Sequence, residues 1–259
     1  ARGLRTQLTR TIGLISDEIA TTPFAGRMFA GAQDAARENS HLLIMVNTDN
    51  DPAVEADAIA ALSAQQVDAV IYAAMWHRVV EVPAGLPANS VLLDCRSESG
   101  SHPSIVPDEY AGAVLAVQAL VDAGHQRIAY VDAAGDDLPA AWLRREAWRD
   151  VLLSSGLRID ETLHIADEIS SAGGRRATAT LLALEPQRRP TAVFCFNDRM
   201  ALGAYIAARH AGLSIPRDLS VVGFDDQPFV AAELDPPLTT VALPHYEMGR
   251  WSVEVALGL

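Results

Sequence analysis

Six polar residues stand where short apolar runs end: Asp17, Asp49, Asp94, Asp132, Asn197 and Asp225. A carboxylate accepts hydrogen bonds from neighbouring hydroxyls, and an amide both donates and accepts, so the set suits recognition of a small polar molecule. Each residue could equally cap the following helix or close a turn. Together, at equivalent positions, they mark one polar face. No signature of catalysis accompanies them: the chain has no G-x-G-x-x-G after its first strand, no G-x-x-x-x-G-K-[ST], no H-E-x-x-H, no G-x-S-x-G and no C-x-x-C. The histidines at 41, 77, 102, 125, 164, 210 and 245 are dispersed and do not fall at metal-ligand spacing. Gly173-Gly174 ahead of Arg175-Arg176 reads as a solvated helix start, because no wider glycine pattern supports a phosphate loop. We therefore expect no catalytic residue, no metal and no cofactor.

The elements that must position these residues alternate along the whole chain. Thr11 to Ser16 reads as a buried strand, and a helix follows from Phe24 to Asn39 with Phe24, Met28, Phe29, Ala32 and Ala36 on one face. Leu42 to Val46 is the next strand. Pro52 sits where a first helical turn tolerates it, and Val54, Ile59 and Leu62 carry the apolar stripe. Ala69 to Tyr72 and Val91 to Cys95 are two further strands. The cycle restarts after Pro107: helices at Glu109 to Ala123 and Ala140 to Ser155 end at Gly124 and Gly156, and Arg127 to Val131 is a strand between them. Then come strands at Leu163 to Ile165, Ala192 to Phe196 and Leu219 to Phe224, with helices through Leu181 and from Asp198 to Ala211. Strands apolar on both faces belong in parallel sheets covered by helices on each side. Their number exceeds one ordinary open sheet, so the pattern predicts an α/β fold of two doubly wound lobes. Ligands of such sheets bind beyond the carboxyl ends of the strands, where the six polar residues lie.

Composition narrows the function classes. The chain has 259 residues, 49% hydrophobic and 20% charged, enough to bury one large core or two medium ones. Asp and Glu number 33 against 20 basic residues, every one an arginine, and the net charge of −13 makes this chain by itself a poor binder of nucleic acid or anionic membranes. Cys95 and Cys195 lie inside separate apolar runs, which predicts reduced, buried thiols in a cytoplasmic protein. No apolar stretch approaches the length that spans a bilayer.

Three segments then become specific. Phe196-Asn197-Asp198-Arg199-Met200-Ala201-Leu202-Gly203-Ala204, the run from Gly212 to Asp226 containing Ser214-Ile215-Pro216-Arg217-Asp218 and Val222-Gly223-Phe224-Asp225-Asp226, and Pro236-Pro237-Leu238-Thr239-Thr240-Val241 closely resemble the LacI/GalR family of bacterial transcription regulators. Arg10 to Ile15 is similar to the family's entry into its ligand-binding core, and Gly124-His125-Gln126-Arg127-Ile128-Ala129 resembles its GHxxIA strand entry. The resemblance implies a type I periplasmic-binding-protein-like fold whose lobes are joined by three crossovers. It divides the chain into a hinge remnant at 1–10, an N-terminal lobe of 11–108 plus 243–259, and a C-terminal lobe of 109–242. It also implies that Ala1 to Thr6 is the tail of a hinge whose helix-turn-helix domain lies upstream.

The resemblance places an effector between the lobes. Asp225 and Asn197 fit that role on their own chemistry, against the alternatives of turn residue and helix cap. Arg144, four residues before Trp148, matches the spacing of the family's effector-binding arginine and could grip hydroxyls or a carboxylate with its fork. Its neighbour Arg145 should point to solvent. Phe24 occupies a place where the family often sets an aromatic against the ligand ring; Asp17, Asp94 and His245 complete the effector-binding candidates. Trp76 and Trp142 read as packing or interface residues. The expected function is the effector-binding and dimerisation core of a repressor that senses a small polar metabolite, a sugar or related polyol. The expected partners are that effector, a second copy of the chain, and operator DNA through the missing domain only, with no membrane. Two alternatives stay open at this point: an exported sugar-binding protein of a transport system, and a sugar-acting enzyme.

Overall fold

The computed structural model describes residues 8–18, 25–135 and 138–259. Phe24 and the Ala1 to Thr6 hinge segment lie outside the described residues. The chain forms two compact units, Ala1–Pro107 with Pro244–Leu259 and Asp108–Leu243. It passes from the first unit to the second after Pro107 and back to the first after Leu243.

In the first unit, strands β1 (Thr11–Ser16), β2 (Leu42–Asn47), β3 (Ala69–Val79), β4 (Val91–Arg96) and β5 (Ser104–Ile105) form a parallel sheet in the order β2-β1-β3-β4-β5. Helices α1 (Ala25–Glu38) and α2 (Pro52–Ala64) connect the first three strands, and the final helix of the chain, here α7 (His245–Leu257), returns to pack on α1. Residues alternate across the sheet as the strand period requires: Ile12 and Leu14 bury with Met28, Ala32 and Met248, whereas Ile15 buries on the other side with Ile59 and Leu62. β3 runs well past the short strand expected at Ala69 to Tyr72 and carries Trp76, His77 and Arg78. Just before β1, the Thr9 and Arg10 amides donate to the two carboxylate oxygens of Asp68 at 3.0 and 2.8 Å, which fixes the chain's entry to the sheet.

The second unit contains α3 (Glu109–Asp122), β6 (Ile128–Ala133), α4 (Pro139–Ser154), β7 (His164–Asp167), α5 (Ser171–Leu182), β8 (Ala192–Cys195), α6 (Asp198–His210), β9 (Ser220–Phe224) and β10 (Thr239–Val241). Its parallel sheet runs β7-β6-β8-β9-β10. Counted within each unit, both sheets therefore share the strand order 2-1-3-4-5. The second core centres on an aromatic ladder in which the Tyr130 ring lies 4.9 Å from Phe194 and 6.1 Å from Trp148. Both units also join a pair of helices through glycines. A Cβ on Gly249 of α7 would fall on the backbone of Met28 in α1, and one on Gly174 of α5 would fall on the backbone of Met200 in α6. Gly174 is thus buried where α5 meets α6 and Gly173 against the Glu168 backbone, and the solvated helix start expected there is corrected: only residues without side chains allow these backbones to come so close.

Candidate functional site

In the second unit the carboxyl ends of β8 and β9 and the inner face of α4 build a buried charged cluster. Arg144 sits on the face of α4 that also buries Ala140, Ala141, Ala147 and Trp148, and it is 3% exposed. A guanidinium in such a place must have its donors satisfied. Nε donates to Glu109 Oε2 at 2.7 Å, Nη2 approaches the same oxygen at 2.6 Å, and Nη1 donates to the Phe196 carbonyl. Nη2 also lies 3.6 Å from Asp225 Oδ1. The guanidinium plane is held over the rings of Phe224 and Phe196, 3.7 and 4.4 Å from their centroids. Arg144 is therefore caged by this chain's own groups, with Glu109, at the start of α3, as its main counter-ion.

Asp225 follows β9 with a φ of 99°, and its amide donates to the Val241 carbonyl at 2.9 Å. Its Oδ2 accepts from Gln227 Nε2 at 2.9 Å. Burial pushes its carboxyl up to about 7, against the opposing pull of Arg144. A second buried acid lies close by. Asp198, at the first turn of α6, accepts from the Gln227 amide and from Thr240 Oγ1, both at 2.6 Å, and burial raises it to about 6. Gly223 makes room for it, because a Cβ at that position would run into Asp198 Oδ1. Gln227 thus bridges the two acids, its backbone to one and its side chain to the other.

Asn197 caps α6: its Oδ1 accepts from the Met200 amide at 3.0 Å. Asp132, fully buried in β6, accepts from Arg145 Nε at 2.7 Å and lies 2.8 Å from His164 Nε2. Arg145 therefore does not point to solvent as expected: the carboxylate at the end of β6 draws it into a half-buried ion pair.

In the first unit, Asp17 follows β1 and accepts from Arg78 Nη2 at 2.7 Å and from the Glu18 amide at 2.8 Å. The Arg78 guanidinium lies 5.0 Å from the centre of the Trp76 ring, which is 38% exposed. Trp76, read from the sequence as packing or interface, presents a partly open aromatic surface with a cation on it. Asp94 is buried within β4 at a φ of 55°, and His245 is buried at the first turn of α7. Cys95 and Cys195 are both buried free thiols, and burial pushes the Cys95 thiol up to about 12.

The structure thus brings Arg144 and Asp225 together in one unit and pairs Asp17 with Arg78 in the other. Sequence reasoning missed Glu109, Asp198 and Gln227 as members of the buried cluster, and Arg78 as the partner of Asp17. Asp198 stood inside a motif already singled out; the other three lie outside any local pattern. Among the described residues no group of three or more His, Cys, Asp or Glu side chains is placed to hold a metal ion. No helix among them is long and apolar enough to cross a membrane.

Comparison with known proteins adds the lineage. Residues 117–259 match the model of the periplasmic binding protein-like domain. The ribose operon repressor of Escherichia coli K12 is 31% identical over 266 residues, an alignment covering 99% of this chain and 77% of the repressor. A LacI-family transcriptional regulator from Rhizobium etli superposes with a TM-score of 0.85 at 33% identity, covering 95% of this chain and 89% of that one. A LacI-family regulator from Lactobacillus casei with bound sucrose gives 0.73 at 26% identity, covering 96% and 92%. Two parallel sheets of one strand order and likeness over nearly the whole chain agree: this chain belongs to the LacI family of transcriptional regulators, and it is the periplasmic-binding-protein-like, effector-binding core of such a regulator.

Proposed function

We propose that the effector is a sugar or related polyol, and that its binding shifts the chain between two conformations that differ in their support for operator binding. The observation that carries this reading is the caged Arg144–Asp225 pair. Asp225 has one oxygen held by Gln227 and the other facing Arg144, so its position is fixed before any ligand arrives. A preorganised carboxylate and the Asn197 amide, at the ends of neighbouring strands, suit hydroxyls that both donate and accept. In the first unit, Trp76 offers the apolar face that a pyranose ring needs, with Asp17 and Arg78 as polar partners beside it. Asp94, His245 and Phe24 remain members of the proposed effector-binding set. The sucrose bound to the Lactobacillus casei regulator and the name of the ribose repressor support the ligand class.

On this reading the chain is not an enzyme and acts in the cytoplasm as a homodimer, meeting operator DNA through a helix-turn-helix segment. The mechanism is linkage, in which an effector shifts the equilibrium only by its difference in affinity for the two conformations. The test is a thermal-shift screen of sugars, sugar phosphates and nucleobases, followed by calorimetry on the best ligand. Asp225→Ala is expected to weaken binding by about 2–4 kcal/mol, through loss of charged hydrogen bonds and an unpaired ligand hydroxyl. Unchanged affinity would remove Asp225 from the site, and a response confined to nucleobases would overturn the ligand class.

A further inference from the structure

At the other end of the second sheet, where the strands begin, the structure holds a cavity of about 630 Å³ that the effector reading does not use. It lies between the start of β6, the loop from α4 to β7 and the loop from α5 to β8. Trp148 and Leu152, both fully buried on α4, close its bottom, and the half-buried Leu157 and Ile159 form its apolar wall. Three exposed arginines, Arg127, Arg158 and Arg188, ring the opening.

The charges around the cavity do not cancel. Glu161 is gripped from outside by Arg149, whose two terminal nitrogens reach its two oxygens at 3.2 and 2.6 Å. Asp160 is engaged by the Thr162 amide and hydroxyl at 3.0 and 2.6 Å, with Arg188 at 3.4 Å. Arg127 donates only to a neutral group, the Arg189 carbonyl, at 2.7 Å. Among the described residues neither Arg127 nor Arg158 lies within salt-bridge distance of a carboxylate. In a chain of net charge −13, two arginines without acidic partners over one partly apolar cavity leave a locally positive hollow. Guanidinium forks match carboxylate and phosphate oxygens in geometry as well as charge.

We propose that this cavity is a second ligand site, separate from the effector site, that takes a small organic anion: a phosphate monoester or carboxylate on a compact apolar body. The anionic head meets Arg127 and Arg158, and the apolar body lies against Leu157 and Ile159. The site is contained within one unit and stands independently of the sugar reading.

The experiment titrates the whole chain with phenyl phosphate, benzoate and inorganic phosphate at low ionic strength, by calorimetry and ligand-observed NMR. Phenyl phosphate or benzoate is expected to bind, and Arg158→Glu to weaken that binding by about tenfold or more, the weight of one charged contact. Arg158 is exposed, so the variant should keep the wild-type melting curve. Asp225→Asn is expected to leave anion binding within about twofold while impairing any sugar response. Binding indifferent to Arg158→Glu, binding lost in Asp225→Asn, or no binding of any probe at ~10 mM would each overturn the site. Inorganic phosphate binding as tightly as phenyl phosphate would overturn the apolar half of the assignment.

Discussion

The two units share one strand order yet hold their strand-end charges in opposite ways. In both, an aspartate at or just past the fourth strand of the 2-1-3-4-5 order takes a left-handed backbone: Asp94 on β4 at a φ of 55° and Asp225 after β9 at 99°. In both, an arginine pairs with an acid at a strand end. In the first unit that arginine, Arg78, is one-quarter exposed and rests on an open tryptophan. In the second, Arg144 is sealed between two phenylalanines and a buried glutamate. The topology decides where polar groups gather, and burial decides what they cost. A pair whose arginine keeps a quarter of its surface in water is easier to rearrange than a cluster desolvated on every side.

Removing the counter-ion on the buried side should give the largest effect. Glu109→Ala leaves the Arg144 charge desolvated without its main partner and is expected to cost about 3–5 kcal/mol of stability in chemical denaturation. A loss below ~1 kcal/mol would mean that the two units do not differ as described. The pH response should also come from the second unit. Asp225 and Asp198 have folded-state values raised by burial to about 7 and about 6. In the window from about pH 4 to 7 the folded chain therefore holds protons that the unfolded chain has released. Their stabilising contribution is complete below about pH 4 and is lost as the pH rises through 6 and 7. Asp225→Asn should flatten that slope by up to about 1.4 kcal/mol per pH unit, the weight of one proton, when stability is followed from pH 4 to 8. An unaltered slope would show that Asp225 titrates at its ordinary value.

Two smaller effects sharpen the contrast. Asn197→Ala removes the α6 cap and should cost about 1 kcal/mol, while Asn197→Asp, which keeps the acceptor, should cost less. Arg78→Ala leaves the buried Asp17 with the Glu18 amide as its remaining partner and should cost about 1–3 kcal/mol by the same measurement, less than Glu109→Ala because Arg78 keeps a quarter of its surface in water. If the sugar reading holds, Arg78→Ala should nonetheless weaken effector binding, separating a ligand contact from a structural brace. Equal stability losses for Arg78→Ala and Glu109→Ala would collapse the distinction between the units.

Legibility from sequence followed the range of the interactions. Strand starts, helix caps and the restart after Pro107 were readable because they depend on residues a few positions apart: apolar periodicity, a proline in a first turn, an asparagine before a helix. The Asn197 cap is a bond across three residues, and it was anticipated as an alternative. The partners of the charged groups were not readable. Arg144 meets Glu109 across 35 positions, and Arg78 meets Asp17 across 61. The expectation that Arg145 faces solvent failed for the same reason, since helical geometry gives its direction but not the buried Asp132 waiting there.

By itself the sequence determined an α/β chain of two doubly wound lobes, a polar set at the strand ends and a family, since periodicity and motif are local properties that survive without coordinates. Only the tertiary structure decided which arginine is caged and which is open, why Gly223 and the glycines of α1–α7 and α5–α6 carry no side chain, and where an uncompensated pair of arginines overhangs a cavity. Those outcomes depend on which distant groups share a desolvated space, and no spacing along the chain encodes that directly.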